Sequence, residues 1–314
     1  MLQRLLMHFT ILLMIPVSAA VSASAEEFGP TVSTAWLAEN LEDPNLVVLD
    51  CTVMVRPNED GSMTNLSGRP GYDAGHIPTA GFADLMTDLS DPDAEREFMA
   101  PTPAAFAHAM GKLGVGDDTR VVLYDSYNSV WAARVWWMLR WAGFDNAAIL
   151  DGGLRAWKAE GRPVTTDPAS EPERTLTPAP RPALFTDRGA VLAAIEDDAT
   201  RIIDALPSQH YSGEMAMYAR PGHIPTAENR STFLLTDETG RYRADEALQE
   251  MFTGDKQAPA ITYCGGGIAA SAVAFTMFRL GFEDVRVYDA SLEEWAADPA
   301  LPMEVAEEFD WSED

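Results

Sequence analysis

A hexapeptide that occurs twice constrains this chain more than any other feature: Gly75-His76-Ile77-Pro78-Thr79-Ala80 returns unchanged as Gly222-His223-Ile224-Pro225-Thr226-Ala227. The same landmarks follow each copy in the same order. Gly143-Phe144, Asp151 and Trp157 return as Gly281-Phe282, Asp289 and Trp295, all at one common offset. Upstream, the apolar run Leu46 to Asp50 is matched by Arg201 to Asp204, each closing on an aspartate. Shared order and offset over separated landmarks mark a duplicated unit. The 314 residues are therefore expected to form two copies of one domain, each of ordinary domain size.

Within each copy, short runs rich in Val, Ile and Leu read as buried strands: Leu46–Leu49, Arg120–Tyr124 and Ala147–Leu150, then Ile202–Asp204, Ala260–Tyr263 and Val285–Tyr288. Between them, Val130–Ala142 and Ile268–Leu280 carry apolar residues at helical spacing with Gly just past the end. Strands alternating with helices predict a parallel sheet covered on both faces, so the fold class is α/β. Pro168, Pro172, Pro178, Pro180 and Pro182 cannot continue a helix or a central strand, which predicts an extended surface linker over 166–182. The expected domains are 26–165 and 183–314.

Ahead of them, Arg4, the apolar run Phe9 to Val17, and Ala23-Ser24-Ala25 before Glu26-Glu27 follow the order of a cleavable secretory signal over 1–25. The apolar run is short for a membrane span. The mature chain is thus expected to be secreted or periplasmic, with no stable membrane association. A formal charge of −27, from 22 basic and 49 acidic residues, repels phosphate backbones and anionic headgroups, which argues against nucleic-acid binding. Two cysteines supply neither a disulfide framework nor a four-sulfur zinc site, so thiol chemistry rests on one residue or one pair.

The segment Ile261-Thr262-Tyr263-Cys264-Gly265-Gly266-Gly267-Ile268-Ala269-Ala270-Ser271 runs from a buried strand through three glycines into a helix. In open α/β sheets ligands bind at the carboxyl ends of strands. Consecutive glycines let the backbone curl until several N–H groups face one point at a helix N-terminus, an anion cradle formed by Gly265, Gly266, Gly267, Ile268 and Ala269. A thiol there feels those donors and the helix dipole, which predicts a lowered pKa and a nucleophilic thiolate at Cys264. The plainer alternative is a small buried residue before a tight turn. A cysteine phosphatase closes such a loop with an arginine, where this chain has Ala270. No second cysteine lies near enough in sequence for dithiol exchange. A single thiolate among amides can accept one sulfur atom as a persulfide.

The two Gly-His-Ile-Pro-Thr-Ala motifs, the Cys-Gly-Gly-Gly-Ile-Ala-Ala loop and the segments 151–157 and 289–295 resemble the tandem-domain rhodaneses, the thiosulfate and 3-mercaptopyruvate sulfurtransferases. The likeness covers nearly all of the chain after the leader. It implies two tandem rhodanese-like domains, each a small parallel sheet with helices on both faces. It also implies a sulfurtransferase that moves sulfane sulfur from a small anionic donor to a thiophilic acceptor, cyanide or a thiol, through a Cys264 persulfide and without metal or cofactor. The first copy places an aspartate near Asp125 where the nucleophile would stand, so its role is expected to be structural.

Two departures concern the donor. Leu206 stands where family members carry a substrate arginine, and Tyr211-Ser212-Gly213 where another would fall. Arg220, Arg69 and Arg230 flank the repeated motifs and are the candidate replacements, while Asp84 aligns with a family acid that faces the cleft. His76 and His223, set between Gly and Ile-Pro, are expected to fix turns rather than act as bases. Cys51 and the tryptophans Trp131, Trp136, Trp137 and Trp141 are expected to pack in the core or between domains. Two other functions fit the same residues: a binding module with a vestigial cysteine, and a sulfur carrier loaded by a protein partner.

Overall fold

The computed structural model describes residues 27–59, 62–169, 172–197 and 199–306; the expected leader lies outside them. The first copy runs β1 (Thr31–Val32), α1 (Thr34–Asn40), β2 (Leu46–Asp50), β3 (Val53–Pro57), β4 (Met63–Ser67), α2 (Arg69–Ala74), β5 (Gly81–Phe82), α3 (Pro103–Lys112), β6 (Arg120–Tyr124), α4 (Val130–Trp141), β7 (Ala147–Leu150) and α5 (Gly153–Ala159). The second runs β8 (Phe185–Thr186), α6 (Arg188–Ile195), β9 (Arg201–Asp204), α7 (Ser208–Ser212), β10 (Glu228–Asn229), α8 (Asp245–Met251), β11 (Ala260–Tyr263), α9 (Ile268–Arg279), β12 (Val285–Tyr288) and α10 (Ser291–Trp295). The sheets have the orders β1-β7-β6-β2-β5 and β8-β12-β11-β9-β10, one topology used twice. Every pairing within them is parallel.

The duplication extends to single hydrogen bonds. The Tyr124 and Tyr263 hydroxyls accept from the amides of Ile77 and Ile224 at 3.2 and 3.1 Å. The Tyr72 and Tyr211 hydroxyls donate to the carbonyls of Ala80 and Ala227 at 2.6 and 2.7 Å. His76 and His223 stack on those tyrosines at 3.8 Å, and each turns Nδ1 toward its tyrosine's carbonyl, so both histidines fix turns. The hexapeptide is held this way because Thr79 and Thr226 both adopt left-handed φ, +70° and +67°, a strained state that needs surrounding support.

The copies are not two beads on a string. In α4 every residue except Arg140 is buried, the pattern of a helix covered on all sides. One side faces its own sheet and the other packs on α9, with the Trp136 ring 4.8 and 5.0 Å from Phe275 and Phe278. A single apolar cluster therefore runs from Val47 and Leu49 of the first domain to Val285 and Val287 of the second. Separate outer clusters, around Trp157 and Trp295, lie on the far face of each sheet. Trp131, Trp136, Trp137 and Trp141 all belong to the shared core. Fully burying one large apolar side chain contributes roughly 1.5–3 kcal/mol, so this interface is a major source of stability.

Among the described residues the proline-rich connection carries neither helix nor strand before Pro182, and it is strapped onto the first domain. The amides of Arg174, Ala179 and Arg181 donate to the carbonyls of Gly111, Ala142 and Trp141. One element has no counterpart: the antiparallel hairpin β3–β4 of the first copy reaches toward the second domain, where the chain passes from β9 to α7 through Ala205-Leu206-Pro207 alone. Among the described residues no helix is long and apolar enough to cross a membrane.

Candidate active site

Cys264 follows β11 directly and is 3% exposed. Its amide donates to the Ser291 hydroxyl at 3.0 Å, and its carbonyl and that of Gly265 accept from the amides of Leu292 and Glu293, so α10 clamps the loop from behind. Gly267 is the helix N-cap at φ +78°, and a Cβ there would lie 2.7 Å from Asp289 Oδ1. A Cβ on Gly265 would strike the Tyr218 hydroxyl at 1.8 Å. Both glycines are therefore required by close approach, and Gly267 by its backbone conformation as well.

The amides that face the Cys264 sulfur are those of Ala270, Gly266 and Gly267. Of the expected Gly265 to Ala269 set these are Gly266 and Gly267, and Ala270 joins them because the first helical turn contributes its free N–H. The expected lowering of the thiol pKa is not found. Burial pushes it up, the three amides pull it down, and the buried Asp204 carboxylate nearby pushes it up again, leaving it raised. Asp204 itself is pushed up to about 6 by burial, with Tyr263 and the Leu206 amide offsetting part of that.

The first domain shows what this cradle is built to hold. Asp125 follows β6 as Cys264 follows β11, and its carboxylate accepts four amides: Tyr127 at 2.7, Ser129 at 3.0, Trp131 at 2.9 and Ala132 at 2.9 Å. Ala132 and Ala270 occupy the same place in α4 and α9. Ser129 takes the left-handed N-cap position of Gly267, at φ +60°. Burial raises the Asp125 pKa to about 6 against these donors. The first copy has kept the anion cradle and filled it with its own side chain.

Asp289 and Asp151, the aspartates shared by both copies, reach across the domain boundary. Asp289 accepts the Ala100 amide at 2.9 Å and pairs with the fully buried Arg134 at 2.6 Å. Asp151 accepts the Tyr242 amide at 2.8 Å and faces Arg241. Since Asp289 and Arg134 together fill the space where a Cβ on Gly267 would stand, the cradle is backed by the first domain as well as by its own.

The candidate donor contacts do not converge on Cys264. Arg220 gives its N–H groups to the carbonyls of Ala296, Leu301, Trp295 and Asp298, fastening the chain beyond α10, and is not free to bind a substrate. Arg69 pairs with Asp73 at 3.1 Å and lines a separate cavity of about 240 Å³ beside β5. Arg230 is taken by Met251 O, Asn229 O and Glu228. Asp84 accepts from Ser67 and the Met86 amide, tying the hairpin to its loop rather than facing the cleft. In each case local groups satisfy the side chain, carbonyls and carboxylates for the arginines and a hydroxyl and an amide for Asp84, which sequence position alone does not reveal. Cys51 is fully buried and both cysteines are free thiols, so no disulfide joins them.

A cleft of about 620 Å³ opens between the domains beside the cradle, lined on one side by Met54, Val55 and Met63 of the hairpin and on the other by Leu206, Phe233 and Ala269. Sequence reasoning missed the hairpin wall of this cleft because the hairpin has no copy in the second domain. It also missed Tyr218, whose ring covers Gly265 and whose hydroxyl pKa is pushed up by burial and by Cys264 beside it.

Two parallel-sheet domains of one topology, with a cysteine seated in the strand-end cradle of the second and a carboxylate in that of the first, define a tandem α/β protein of single-thiol chemistry. The rhodanese-like domain model matches residues 33–160 and 187–298. The chain belongs to the rhodanese family. It is 34% identical to the 3-mercaptopyruvate sulfurtransferase of Escherichia coli (strain K12) over 281 residues, covering 87% of this chain and 97% of that one. It is also 34% identical to the thiosulfate sulfurtransferase of Bos taurus, covering 84% and 91%. The crystal structure of SseA from Escherichia coli superposes with a TM-score of 0.74 at 32% identity, covering 83% and 98%. Wild-type EanB matches at 0.74 with 22% identity, covering 88% and 69%, a likeness of fold.

Proposed function

We propose that this sulfurtransferase carries sulfane sulfur as a Cys264 persulfide. The thiolate attacks the outer sulfur of a donor of the thiosulfate or 3-mercaptopyruvate type. The new S–S bond forms as the donor's own bond to that sulfur breaks, and the electron pair leaves with sulfite or pyruvate enolate. A thiophilic acceptor, cyanide or a thiolate, then takes the outer sulfur and returns the Cys264 thiolate. The observation that carries this reading is the Asp125 carboxylate held by four amides in the first copy. The corresponding cradle around Cys264 suits the extra negative sulfur of a persulfide, whose charge the amides of Ala270, Gly266 and Gly267 stabilise. The first domain, without a thiol at this place, walls the cleft and braces the loop through Arg134. The chain acts outside the cytosol, a reading supported by the leader-like order of residues 1–25.

The test is intact-protein mass spectrometry after incubation with thiosulfate and with 3-mercaptopyruvate. The expected result is the gain of one sulfur atom on Cys264, discharged by cyanide and absent in Cys264→Ser. An unmodified protein with every donor refutes the reading.

A further inference from the structure

The interdomain cleft has a chemistry that small anionic donors do not match. Met54, Val55, Met63, Tyr127, Met217 and Phe233 are each 41% to 49% exposed, and all line this cleft. Large exposed apolar side chains gathered on one concave surface mark a binding site, whereas scattered ones do not. The Tyr127 and Phe233 rings meet edge to face at 6.4 Å, joining the two domains in one wall. Among the described residues no lysine, arginine, aspartate or glutamate lines the cleft. Leu206 and Ala269, the latter on the first turn of α9 behind the cradle, both line this wall.

A doubly charged donor entering here would leave water without meeting a counter-ion, on a chain whose formal charge is −27. A carrier group made of carbon and hydrogen meets the reverse situation. It buries against methionine and aromatic surface that is otherwise wet, and flexible methionine side chains adapt to its shape.

We propose that the preferred sulfur donor is an organic sulfane-sulfur compound with an apolar carrier, an alkyl or aryl hydropersulfide R–S–SH, whose R group occupies this cleft. The inference rests on the persulfide chemistry proposed above. Cys264–S⁻ attacks the terminal sulfur, the S–S bond between RS and SH breaks with its electron pair going to RS, and the products are Cys264–S–SH and the thiolate RS⁻. No oxidant or reductant is consumed. The carrier lies along the hairpin and Phe233, and its sulfur end reaches the cradle past Ala269 and Leu206.

The experiment uses stable probes with one reacting group and a variable carrier: methane-, butane- and hexanethiosulfonate, R–SO₂–S⁻, with thiosulfate as reference. Their transfer is balanced in the same way, the sulfinate R–SO₂⁻ leaving as Cys264–S–S⁻ forms. Full burial of one methylene corresponds to about a fourfold gain. In an open cleft, about twofold to fourfold per methylene is expected in kcat/KM, at least about thirtyfold from methane to hexane. Thiosulfate should be the poorest donor. Phe233→Ser and Met54→Ser, both at exposed positions where the fold does not depend on the side chain, should flatten the chain-length dependence. Leu206→Arg should reverse the ranking toward thiosulfate. Loading of Cys264 at rates independent of chain length overturns the apolar-donor inference and leaves the sulfurtransferase reading standing. If no donor places sulfur on Cys264, the persulfide reading fails and takes this inference with it.

Discussion

Replacing Asp204 by asparagine separates the two roles its charge plays, one in stability and one in thiol acidity. Asp204 is fully buried; its Oδ1 accepts the Leu206 amide at 2.7 Å, and the Tyr263 hydroxyl lends further support to the carboxylate. Its counterpart Asp50 accepts both the amide and the hydroxyl of Thr52, at 2.9 and 2.5 Å, so the change from Thr52 to Leu206 has removed one donor. With a pKa pushed up to about 6 from an ordinary 3.8, the folded state holds this proton more tightly than the unfolded chain. The associated stability is present in full below about pH 4 and is lost as pH rises through about 6, a change of about 3 kcal/mol. Asp204→Asn does not titrate. The amide it introduces costs the same at either pH, so the difference between two pH values isolates the charge. Urea unfolding at about pH 4 and about pH 8 should show the variant gaining about 3 kcal/mol on the parent between them, less whatever the parent recovers by relaxation. In parallel, alkylation of Cys264 followed by mass against pH should shift to lower pH, because the neighbouring negative charge is gone. An unchanged stability difference between the two pH values, with an unchanged alkylation midpoint, refutes the electrostatic account of this pocket.

Asp125→Ala leaves four amides, three of them buried, without an acceptor and should lower stability by about 3–5 kcal/mol in urea unfolding, while Asp125→Asn loses less because its carbonyl oxygen still accepts. Gly267→Ala forces a left-handed alanine against Asp289, and should slow persulfide formation on Cys264 in single-turnover mass measurements more than it lowers Tm. Arg134→Met strands Asp289 in the interface and should cost about 3–5 kcal/mol, most of which returns when Asp289→Leu is added.

The strands were legible because a parallel sheet covered on both faces requires uninterrupted apolar runs. Arg120–Tyr124, Ala147–Leu150, Ala260–Tyr263 and Val285–Tyr288 begin and end in the structure where the sequence pattern places them. The hairpin β3–β4 was not legible. Its residues Met54 to Pro57 are exposed and unpaired with any repeat, so neither burial nor duplication gives them away. The Cys264 loop was readable from its glycines, but the acidity of its thiol was not. The sequence shows the dipole and the donors, while the burial and the Asp204 charge that outweigh them arise only when β9 is laid beside β11. Arg220 misled for a related reason: its four carbonyl partners lie some eighty residues downstream, at a helix end that no local pattern connects to it. Asp125 looked like the mere loss of a nucleophile, because a serine at a left-handed N-cap does not advertise a cradle as Gly267 does.

The core shared through α4 and α9 makes the duplication irreversible. A lone second domain would present Phe275 and Phe278 to water, and a lone first domain would present Trp136, so neither half can be shed without creating a sticky surface. Once fused in this way, a copy with no thiol in its loop could not be deleted as redundant, only put to other use. The hairpin that walls the cleft stands on the half whose own loop carries no thiol, so the domain without the nucleophile shapes access to the domain that has it.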